Sequence, residues 1–217
     1  MTFDWLLPST GATSTVTISD SLVPGLSEKF CEELPSRWAS YSPLRRRDYL
    51  AGRVAAHKAL RRLGSDVSSV PQGRGGEPLF PSGMAGSISH TGSSETFALA
   101  AVARQLPALG VDVEVRDPEV TLGEEVLSLR EARLLARVAP QVNPALLAFS
   151  LKESVFKCLY SLRSERAGFR QIDLVSAVES DSGRGDVSVR VRLEKGEFSA
   201  SGRWILSREL IASSAWC

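Results

Sequence analysis

The segment GVDVE at 110–114 carries two carboxylates, two residues apart, in an otherwise apolar stretch. The apolar residues predict a strand over 109–115, and alternate residues of a strand point to the same face. Asp112 and Glu114 are then neighbours, and two like charges on an apolar strand are costly unless a cation compensates them. Carboxylate oxygens suit Mg²⁺, which often also binds substrate phosphate oxygens. The simpler alternative is a strand end whose acids face water.

A second candidate lies in the segment FSLKESVFK at 149–157. In a helix Glu153 and Lys157 share one face, and Lys152 projects about a quarter-turn away. An i,i+4 Glu–Lys pair is commonly a surface feature that contributes only about 0.2–0.5 kcal/mol. The apolar flanks indicate a mostly buried helix instead. Glu153 would then join the two strand acids in a three-carboxylate metal site, and Lys157 would be left for a phosphate or a proton.

A third candidate is a set of arginines. Arg45, Arg46, Arg47 and Arg53 lie in a predicted helix, and Arg74 lies in a Gly-rich loop. Arg46 and Arg53 fall on one helix face. Guanidinium groups bind phosphates through two parallel hydrogen bonds, so the set is suited to a polyphosphorylated ligand. Solvated helix charges are the more common explanation of such a run.

The segment SISHTGS at 87–93 holds one of the two histidines of the chain. A hydrolase with a serine nucleophile and His90 as base is disfavoured, because the chain has no G-x-S-x-G elbow. A zinc site is disfavoured because only His57 could supply a second imidazole. The remaining interpretation is phosphate capture: Ser89 and His90 donate to oxygens, and Gly92 permits close backbone approach.

Two long helices should position these residues. Ser42 caps the first, Pro43 takes its first position, and Gly64 ends it. Asn143 and Pro144 begin the second in the same way. Its apolar residues recur three or four apart and predict a core-facing stripe of Leu147, Leu151, Val155, Leu159 and Leu162.

The remaining elements are shorter. Strands are predicted at 96–103 and 109–115, joined by a hairpin through RQLP, and antiparallel strands fill the tail around a Lys195-Gly196 turn. A strand is also predicted at 13–20, a short helix at 26–34 with Ser27 as its N-cap, an extended loop at 65–86 and a helix within 123–138. The pattern predicts an α+β fold of two similar-sized halves that meet near 104–109.

Composition narrows the class of protein. The chain has 217 residues, 43% of them hydrophobic, which supports a substantial core, and its net charge of +1 argues against a general polyanion binder. Cys31, Cys158 and Cys217 are widely separated, which fits a reducing compartment rather than a disulfide framework. Without a signal-like N-terminus or an 18-residue apolar run, we expect a soluble cytoplasmic protein that does not enter a membrane.

Taken in order, four segments resemble the 4′-phosphopantetheinyl transferases of the surfactin-type class, and most of all the enterobactin synthetase component D subgroup. The segments are RRRDYLAGRVAAHKAL (45–60), GEPLFPSGMAGSISHTG (76–92), LGVDVE (109–114) and FSLKESVFK (149–157). The resemblance covers about residues 44–175, including GFRQIDL at 168–174. Phe80 and Phe149 stand where the family has tryptophan, and both keep an apolar aromatic side chain.

The resemblance implies two pseudo-symmetric α/β halves, each a long helix packed on a small antiparallel sheet, with the active site in the cleft between them. It implies that coenzyme A binds with Mg²⁺ and gives its 4′-phosphopantetheine arm to a carrier-protein serine, releasing adenosine 3′,5′-bisphosphate. The half 1–106 would carry the coenzyme A nucleotide and phosphate elements, and 107–217 the metal site and catalytic helix. The implied partners are acyl or peptidyl carrier domains of siderophore, nonribosomal peptide, polyketide or fatty-acid synthases, and the implied state is a monomer.

The resemblance also assigns roles by motif. The metal ligands would be Asp112, Glu114 and Glu153. The groups that bind coenzyme A would be Arg45 and Arg53 at the nucleotide end, Arg74 at the basic loop position, Ser89 and His90 at the phosphates, and Lys152 and Lys157 at the pantetheine phosphate.

Three residues remain open as the base that takes the serine proton: Glu153, Lys157 and Glu131. Glu131 is as well explained as an acid on a helix surface. A different class of function also stays open, a non-enzymatic nucleotide- or nucleic-acid-binding module that uses the Arg-rich helix 45–62. Such a module needs no metal, which sets it apart from a transferase.

Overall fold

The computed structural model describes residues 3–8, 10–66, 69–117, 119–123, 125–194 and 196–217. The chain divides into two compact units, Met1–Leu106 and Pro107–Cys217. Each unit combines a 20-residue helix with an antiparallel sheet, so the predicted α+β architecture is confirmed. No helix among the described residues is both long enough and apolar enough to cross a membrane.

The first unit packs a long helix on a three-stranded sheet of order β1-β3-β2. Its elements are β1 (Gly11–Ile18), α1 (Val23–Lys29), α2 (Pro43–Arg62), β2 (Met84–Thr91) and β3 (Thr96–Arg104), with 3-10 turns at Asp4–Leu6, Asp20–Leu22, Cys31–Glu33 and Trp38–Ser40. The Ser42 hydroxyl accepts from the Arg45 amide at 3.2 Å, and Gly64 adopts φ +69°, so both predicted ends of α2 are confirmed. A Cβ on Gly52 would lie 2.8 Å from Ile88, so only glycine lets α2 lie this close to β2.

The second unit packs its long helix on a five-stranded sheet of order β4-β8-β7-β6-β5. Its elements are β4 (Leu109–Val115), α3 (Leu129–Val138), α4 (Pro144–Arg163), β5 (Ile172–Asp181), β6 (Arg184–Leu193), β7 (Gly196–Leu206) and β8 (Leu210–Trp216), with a 3-10 turn at Phe169–Gln171. Asn143 caps α4 by accepting from the Ala145 amide at 2.9 Å, as predicted. The turn between β6 and β7 is confirmed at Gly196, whereas Lys195 lies outside the described residues.

The predicted hairpin between 96–103 and 109–115 is wrong. β3 is the central strand of the first sheet, paired with β1 on one edge and β2 on the other, so it has no edge left for β4. β4 pairs instead with β8, about a hundred residues later in the chain. Residues 104–109 therefore pass from one unit to the other rather than forming a turn within a sheet.

Three smaller predictions also change. Ser27 does not cap a helix: it lies inside α1, where its hydroxyl donates to the Val23 carbonyl at 2.8 Å. The loop predicted to 86 ends earlier, because β2 begins at Met84 and pairs with β3. The apolar stripe of α4 is buried from Leu147 to Leu159, but Leu162 is 38% exposed in the last turn of the helix.

Candidate active site

Helix and sheet of the second unit approach each other closely at Gly110. A Cβ at this position would lie 1.9 Å from the Ser154 carbonyl oxygen and 2.7 Å from the Cys158 amide nitrogen. Glycine therefore lets the backbone of α4 lie directly on β4. Asp112 and Glu114 occupy alternate positions from Gly110 and share its face of the strand, so α4 is brought next to both carboxylates.

Buried serines fix α4 against the neighbouring strand. The Ser213 hydroxyl on β8 lies 2.9 Å from that of Ser150 and 2.7 Å from that of Ser154, and it also donates to the Ser150 carbonyl. Ser213 is the register partner of Asp112 on β4. These hydrogen bonds hold the helix in a defined position along β4 and β8.

Four of the predicted site residues are brought together here. Lys157 donates from Nζ to Asp112 Oδ1 at 2.8 Å and to the Val111 carbonyl at 3.0 Å. Burial and the negative charge of Asp112 raise the pKa of Glu114 to about 7. The charge of Glu153 adds to this shift, and the positive charge of Lys157 opposes it. Burial also raises the pKa of Glu153; Lys157 opposes this shift and Asp112 adds to it. The group thus concentrates negative charge that one ammonium compensates in part.

A divalent cation fits this group by donor type and by charge. Mg²⁺ prefers carboxylate oxygens, and burial together with the charge of Asp112 disfavours the charged form of Glu114, an effect that a bound cation would offset. Within the described part of the chain, however, no cluster of three or more His, Cys, Asp or Glu side chains is arranged to ligate one ion. Asp112, Glu114 and Glu153 therefore have the chemistry of a magnesium site without a ready-made ligand shell.

Glu131 and Lys152 form a separate, buried ion pair. Both side chains are 2% exposed, and Lys152 Nζ lies 3.0 Å from Glu131 Oε1 and 3.1 Å from its Oε2. The Glu131 carboxylate also accepts from the Leu174 amide and from the amide and hydroxyl of Ser128, which closes the capping box of α3. Burial alone would raise the pKa of Glu131, but these hydrogen bonds and the Lys152 charge outweigh it and hold the pKa below its usual value.

The remaining contact of Lys152 also points inward. Its Nζ donates to the Phe169 carbonyl at 3.2 Å, just before β5. The pair therefore ties together α3, α4 and the start of β5. These contacts favour a role in the fold for both residues over contact with a substrate.

In the first unit, Ser89 and His90 lie near the end of β2. Ser89 is buried, and His90 is partly exposed with Nδ1 3.7 Å from Asp48 Oδ2 on α2. Gly92 follows with φ +113°, and a Cβ there would lie 2.2 Å from the Glu95 carbonyl oxygen. The glycine is thus required by the tight turn that follows the histidine.

The predicted arginines differ in exposure. Arg45 is exposed, with its guanidinium 5.6 Å from the centre of the Tyr41 ring, and Arg74 is exposed in the loop before β2. Arg53 is only 4% exposed, lies 4.2 Å from the centre of the Tyr49 ring and is 3.9 Å from Glu33 Oε2. Burial lowers the pKa of Arg53, and Tyr49 and Glu33 oppose that shift.

Two acids were missed by sequence reasoning. Glu33 accepts from the Val70 amide at 2.9 Å and lies 2.7 Å from His57 Nε2, so His57 is a packed helix residue with a carboxylate partner. Asp48 is the acid that faces His90. Asp48 follows the three arginines directly in the sequence, but no local pattern indicates that its partner lies on β2.

Comparison with known proteins identifies the family. The model of the 4′-phosphopantetheinyl transferase N-terminal domain matches residues 36–103, and that of the 4′-phosphopantetheinyl transferase superfamily matches residues 108–207. The 4′-phosphopantetheinyl transferase Svp of Streptomyces mobaraensis is 34% identical over 226 residues, which cover 96% of this chain and 86% of Svp. The chain belongs to the 4′-phosphopantetheinyl transferase family.

Other relatives are similar over shorter stretches. Enterobactin synthase component D of Salmonella typhimurium is 39% identical over 137 residues, 61% of this chain and 55% of that protein. The 4′-phosphopantetheinyl transferase Npt of Nocardia iowensis is 28% identical over 186 residues, 78% of this chain and 81% of Npt. The predicted resemblance is confirmed, and with it the enzyme class of the chain.

Membership of the 4′-phosphopantetheinyl transferases defines the general reaction. A phosphopantetheine group is transferred, with coenzyme A as co-substrate and a carrier protein as the kind of acceptor. The first family match includes Arg45, Arg53, Arg74, Ser89 and His90, and the second includes Asp112, Glu114, Glu131, Lys152, Glu153 and Lys157.

Proposed function

We propose that this phosphopantetheinyl transferase uses Mg²⁺ and releases adenosine 3′,5′-bisphosphate when it modifies a serine of an apo acyl or peptidyl carrier domain. The observation that carries the proposal is the cluster of Asp112, Glu114, Glu153 and Lys157, assembled where Gly110 admits α4 onto β4. A cluster of hard oxygen donors beside an ammonium suits a diphosphate and its metal.

In the proposed reaction the serine hydroxyl oxygen forms a bond to the β-phosphorus of coenzyme A, the phosphorus that bears the pantetheine arm. The bond from that phosphorus to the bridging oxygen of the diphosphate breaks, and this oxygen leaves with adenosine 3′,5′-bisphosphate. The serine proton passes to an enzyme base. Correct alignment of attacking and leaving oxygens supplies much of the rate enhancement in phosphoryl transfer.

Asp112, Glu114 and Glu153 would hold the magnesium ion, which when bound offsets negative charge on the diphosphate. Lys157 donates to a phosphate oxygen from its position beside Asp112. Because Lys157 Nζ donates to Asp112 and to the Val111 carbonyl, we assign it a donor role and not that of the base. Its role is to bind and orient the reacting phosphate.

Glu153 is the proposed base, in preference to Glu131. The Glu131 oxygens are occupied by donors from Lys152, Leu174 and Ser128, which leaves that carboxylate unsuited to accept a proton from substrate. Glu153 is half-buried, and burial together with the negative charge of Asp112 raises its pKa against the opposing charge of Lys157, which favours proton uptake. The carboxylate oxygen of Glu153 that does not hold the metal would take the serine proton.

The first unit would bind the nucleotide end of coenzyme A. The exposed Arg45 and Arg74 supply guanidinium groups for phosphate, and Ser89 and His90 supply a hydroxyl and an imidazole. The buried Arg53 would stabilise this surface through its contact with the Tyr49 ring and its ion pair with Glu33.

The acceptors we propose are carrier domains of siderophore or nonribosomal peptide, polyketide or fatty-acid synthases. Similarity to enterobactin synthase component D supports the siderophore class. We propose that the enzyme acts as a monomer in the cytoplasm, where a reducing environment keeps its three free cysteines as thiols.

Product analysis tests the finer claims. The enzyme is incubated with coenzyme A and an apo carrier protein, with Mg²⁺ or with excess chelator, and the nucleotide is identified by chromatography. We expect adenosine 3′,5′-bisphosphate in proportion to modified carrier, and none under chelation. Undiminished transfer under chelation would overturn the metal requirement, and salt-sensitive binding of nucleic acid without transfer would favour the binding-module alternative.

A further inference from the structure

The loop between β2 and β3 is held by a buried arginine of α2. Arg47 is 3% exposed and donates to the Ser93 carbonyl at 2.5 Å, to the Ser94 carbonyl at 2.9 Å and to the Thr96 hydroxyl at 2.9 Å. It also pairs with Asp20 at 2.8 Å. Arg47 is therefore committed to the loop that follows His90 and is not available to bind a phosphate.

The Thr96 hydroxyl, held by Arg47, in turn orients the Asp48 carboxylate. Thr96 is fully buried, and its Oγ1 lies 2.7 Å from Asp48 Oδ1. An arginine nitrogen can only donate, so the hydroxyl accepts from Arg47 and must direct its own proton to Asp48. One oxygen of Asp48 is thereby fixed, and the other lies 3.7 Å from His90 Nδ1.

We propose that Asp48 is the positioning residue of His90. Its carboxylate, oriented by Thr96 and Arg47, attracts the protonated Nδ1 edge of the ring, and Nε2 on the opposite edge is then a donor for a phosphate oxygen of coenzyme A. The inference rests on the phosphate-binding role proposed for His90. At 3.7 Å the contact is too long for a hydrogen bond, so the carboxylate acts on the ring through its charge.

The chemistry explains why a carboxylate is placed there. A neutral imidazole has one donor nitrogen and one acceptor nitrogen, whereas both nitrogens of the charged ring donate. A phosphate offers only acceptor oxygens, so the charged ring binds it best. A carboxylate beside Nδ1 favours that charged form and limits rotation of the ring.

A double-mutant cycle separates positioning from simple structural support. D48N keeps an oxygen that can accept from Thr96 but removes the charge facing His90. Affinity for adenosine 3′,5′-bisphosphate is measured by calorimetry, and kcat and KM for coenzyme A by carrier modification, for wild type, D48N, H90A and the double variant. D66N, at an exposed acid beyond the end of α2, is the matched control.

We expect D48N to weaken nucleotide binding and raise KM by roughly tenfold, in the range for coupled neighbouring residues, with little change in kcat. D66N should leave both unchanged, and D48N should have no further effect in the H90A background. Unchanged affinity of D48N, or an equal loss with and without His90, would overturn the inference.

The ring nitrogens give a readout independent of activity. The chain has two histidines, so ¹⁵N spectra resolve both. D48N should shift the His90 signals toward those of a neutral ring and leave His57, which pairs with Glu33, unchanged. Unmoved His90 signals would contradict the proposal, even if the wild type bound nucleotide. Failure of the wild type to bind or transfer, with His90 signals that do shift, would instead contradict the proposed function alone.

Discussion

Gly110 of β4 and Ser154 of α4 are in direct backbone contact: a Cβ on residue 110 would lie 1.9 Å from the Ser154 carbonyl oxygen. This contact sets the height of α4 above β4. The 2.8 Å separation of Lys157 Nζ and Asp112 Oδ1 depends on that height. The position of the charged groups of the site therefore depends on the absence of a side chain at residue 110.

G110A should destabilise the protein by about 1–3 kcal/mol, the usual cost of overpacking, and reduce transfer by moving α4 away from the acids. Denaturant unfolding and carrier modification measure the two effects. G25A is the matched control, because nothing lies within 4 Å of a Cβ at that helical position and its φ is ordinary. If G110A had the same free energy of unfolding as wild type, the contact at residue 110 would not constrain the position of α4 on β4.

E131Q should cost about 3–5 kcal/mol at neutral pH, because it leaves the buried Lys152 ammonium without its carboxylate. The folded pKa of Glu131 lies below its ordinary 4.5. Its contribution to stability is therefore complete above that value and is lost as the pH falls through the lower folded pKa. The difference in unfolding free energy between wild type and E131Q should shrink in acid, and a constant difference across pH would contradict the ion pair.

The double variant E131Q/K152M tests what Lys152 does. Replacing both partners of a buried ion pair by less polar groups often changes the free energy of unfolding little. The double variant should therefore be more stable than E131Q alone. Because Lys152 is enclosed by Glu131 and the Phe169 carbonyl, KM for coenzyme A should stay close to that of wild type. A large rise in KM in a folded double variant would return Lys152 to the coenzyme A site.

Arg45 and Arg53 should behave differently although they lie eight positions apart in the same helix. R45A removes an exposed guanidinium, so we expect a several-fold higher KM for coenzyme A with unchanged unfolding. R53M leaves the buried Glu33 short of a cation and should cost about 1–3 kcal/mol. Equal stability of the two variants, measured by thermal unfolding, would contradict the burial of Arg53.

D112A should lower the transfer rate by more than about 100-fold, since even outer partners of a metal ligand commonly cost about 10–100-fold. The fold should persist, because the serine contacts between α4 and β8 remain. D181N, at an exposed acid of β5, is the control for a change of charge in the same unit. Full activity of D112A at saturating Mg²⁺ would remove Asp112 from the site.

The helices were predictable because their signals are local. Ser42 with Pro43, and Asn143 with Pro144, each define a helix start within three residues, and the structure has both caps. Strand pairing was not predictable in the same way. β4 and β8 pair although they are the first and last strands of the second unit in sequence. Nothing in the RQLP segment indicates that the chain leaves the first sheet there and enters the second.

The candidate site shows the same difference between local signals and contacts of distant segments. Spacing placed Asp112 with Glu114 and Glu153 with Lys157, and the structure joins the two pairs through Gly110. Contacts between distant segments were missed. The resemblance assigns Lys152 to coenzyme A and leaves Glu131 open as a base, whereas sequence spacing gives no information on the ion pair that they form across two helices.

Intact-mass spectrometry of an apo carrier protein tests the central claim most directly. The enzyme is incubated with coenzyme A, Mg²⁺ and several apo carriers of different synthase classes, with D112A and a chelated reaction in parallel. We predict that at least one carrier gains the mass of a single phosphopantetheine group with wild type, and that none does so with D112A or under chelation. No adduct on any carrier with folded wild-type enzyme would contradict the proposed function.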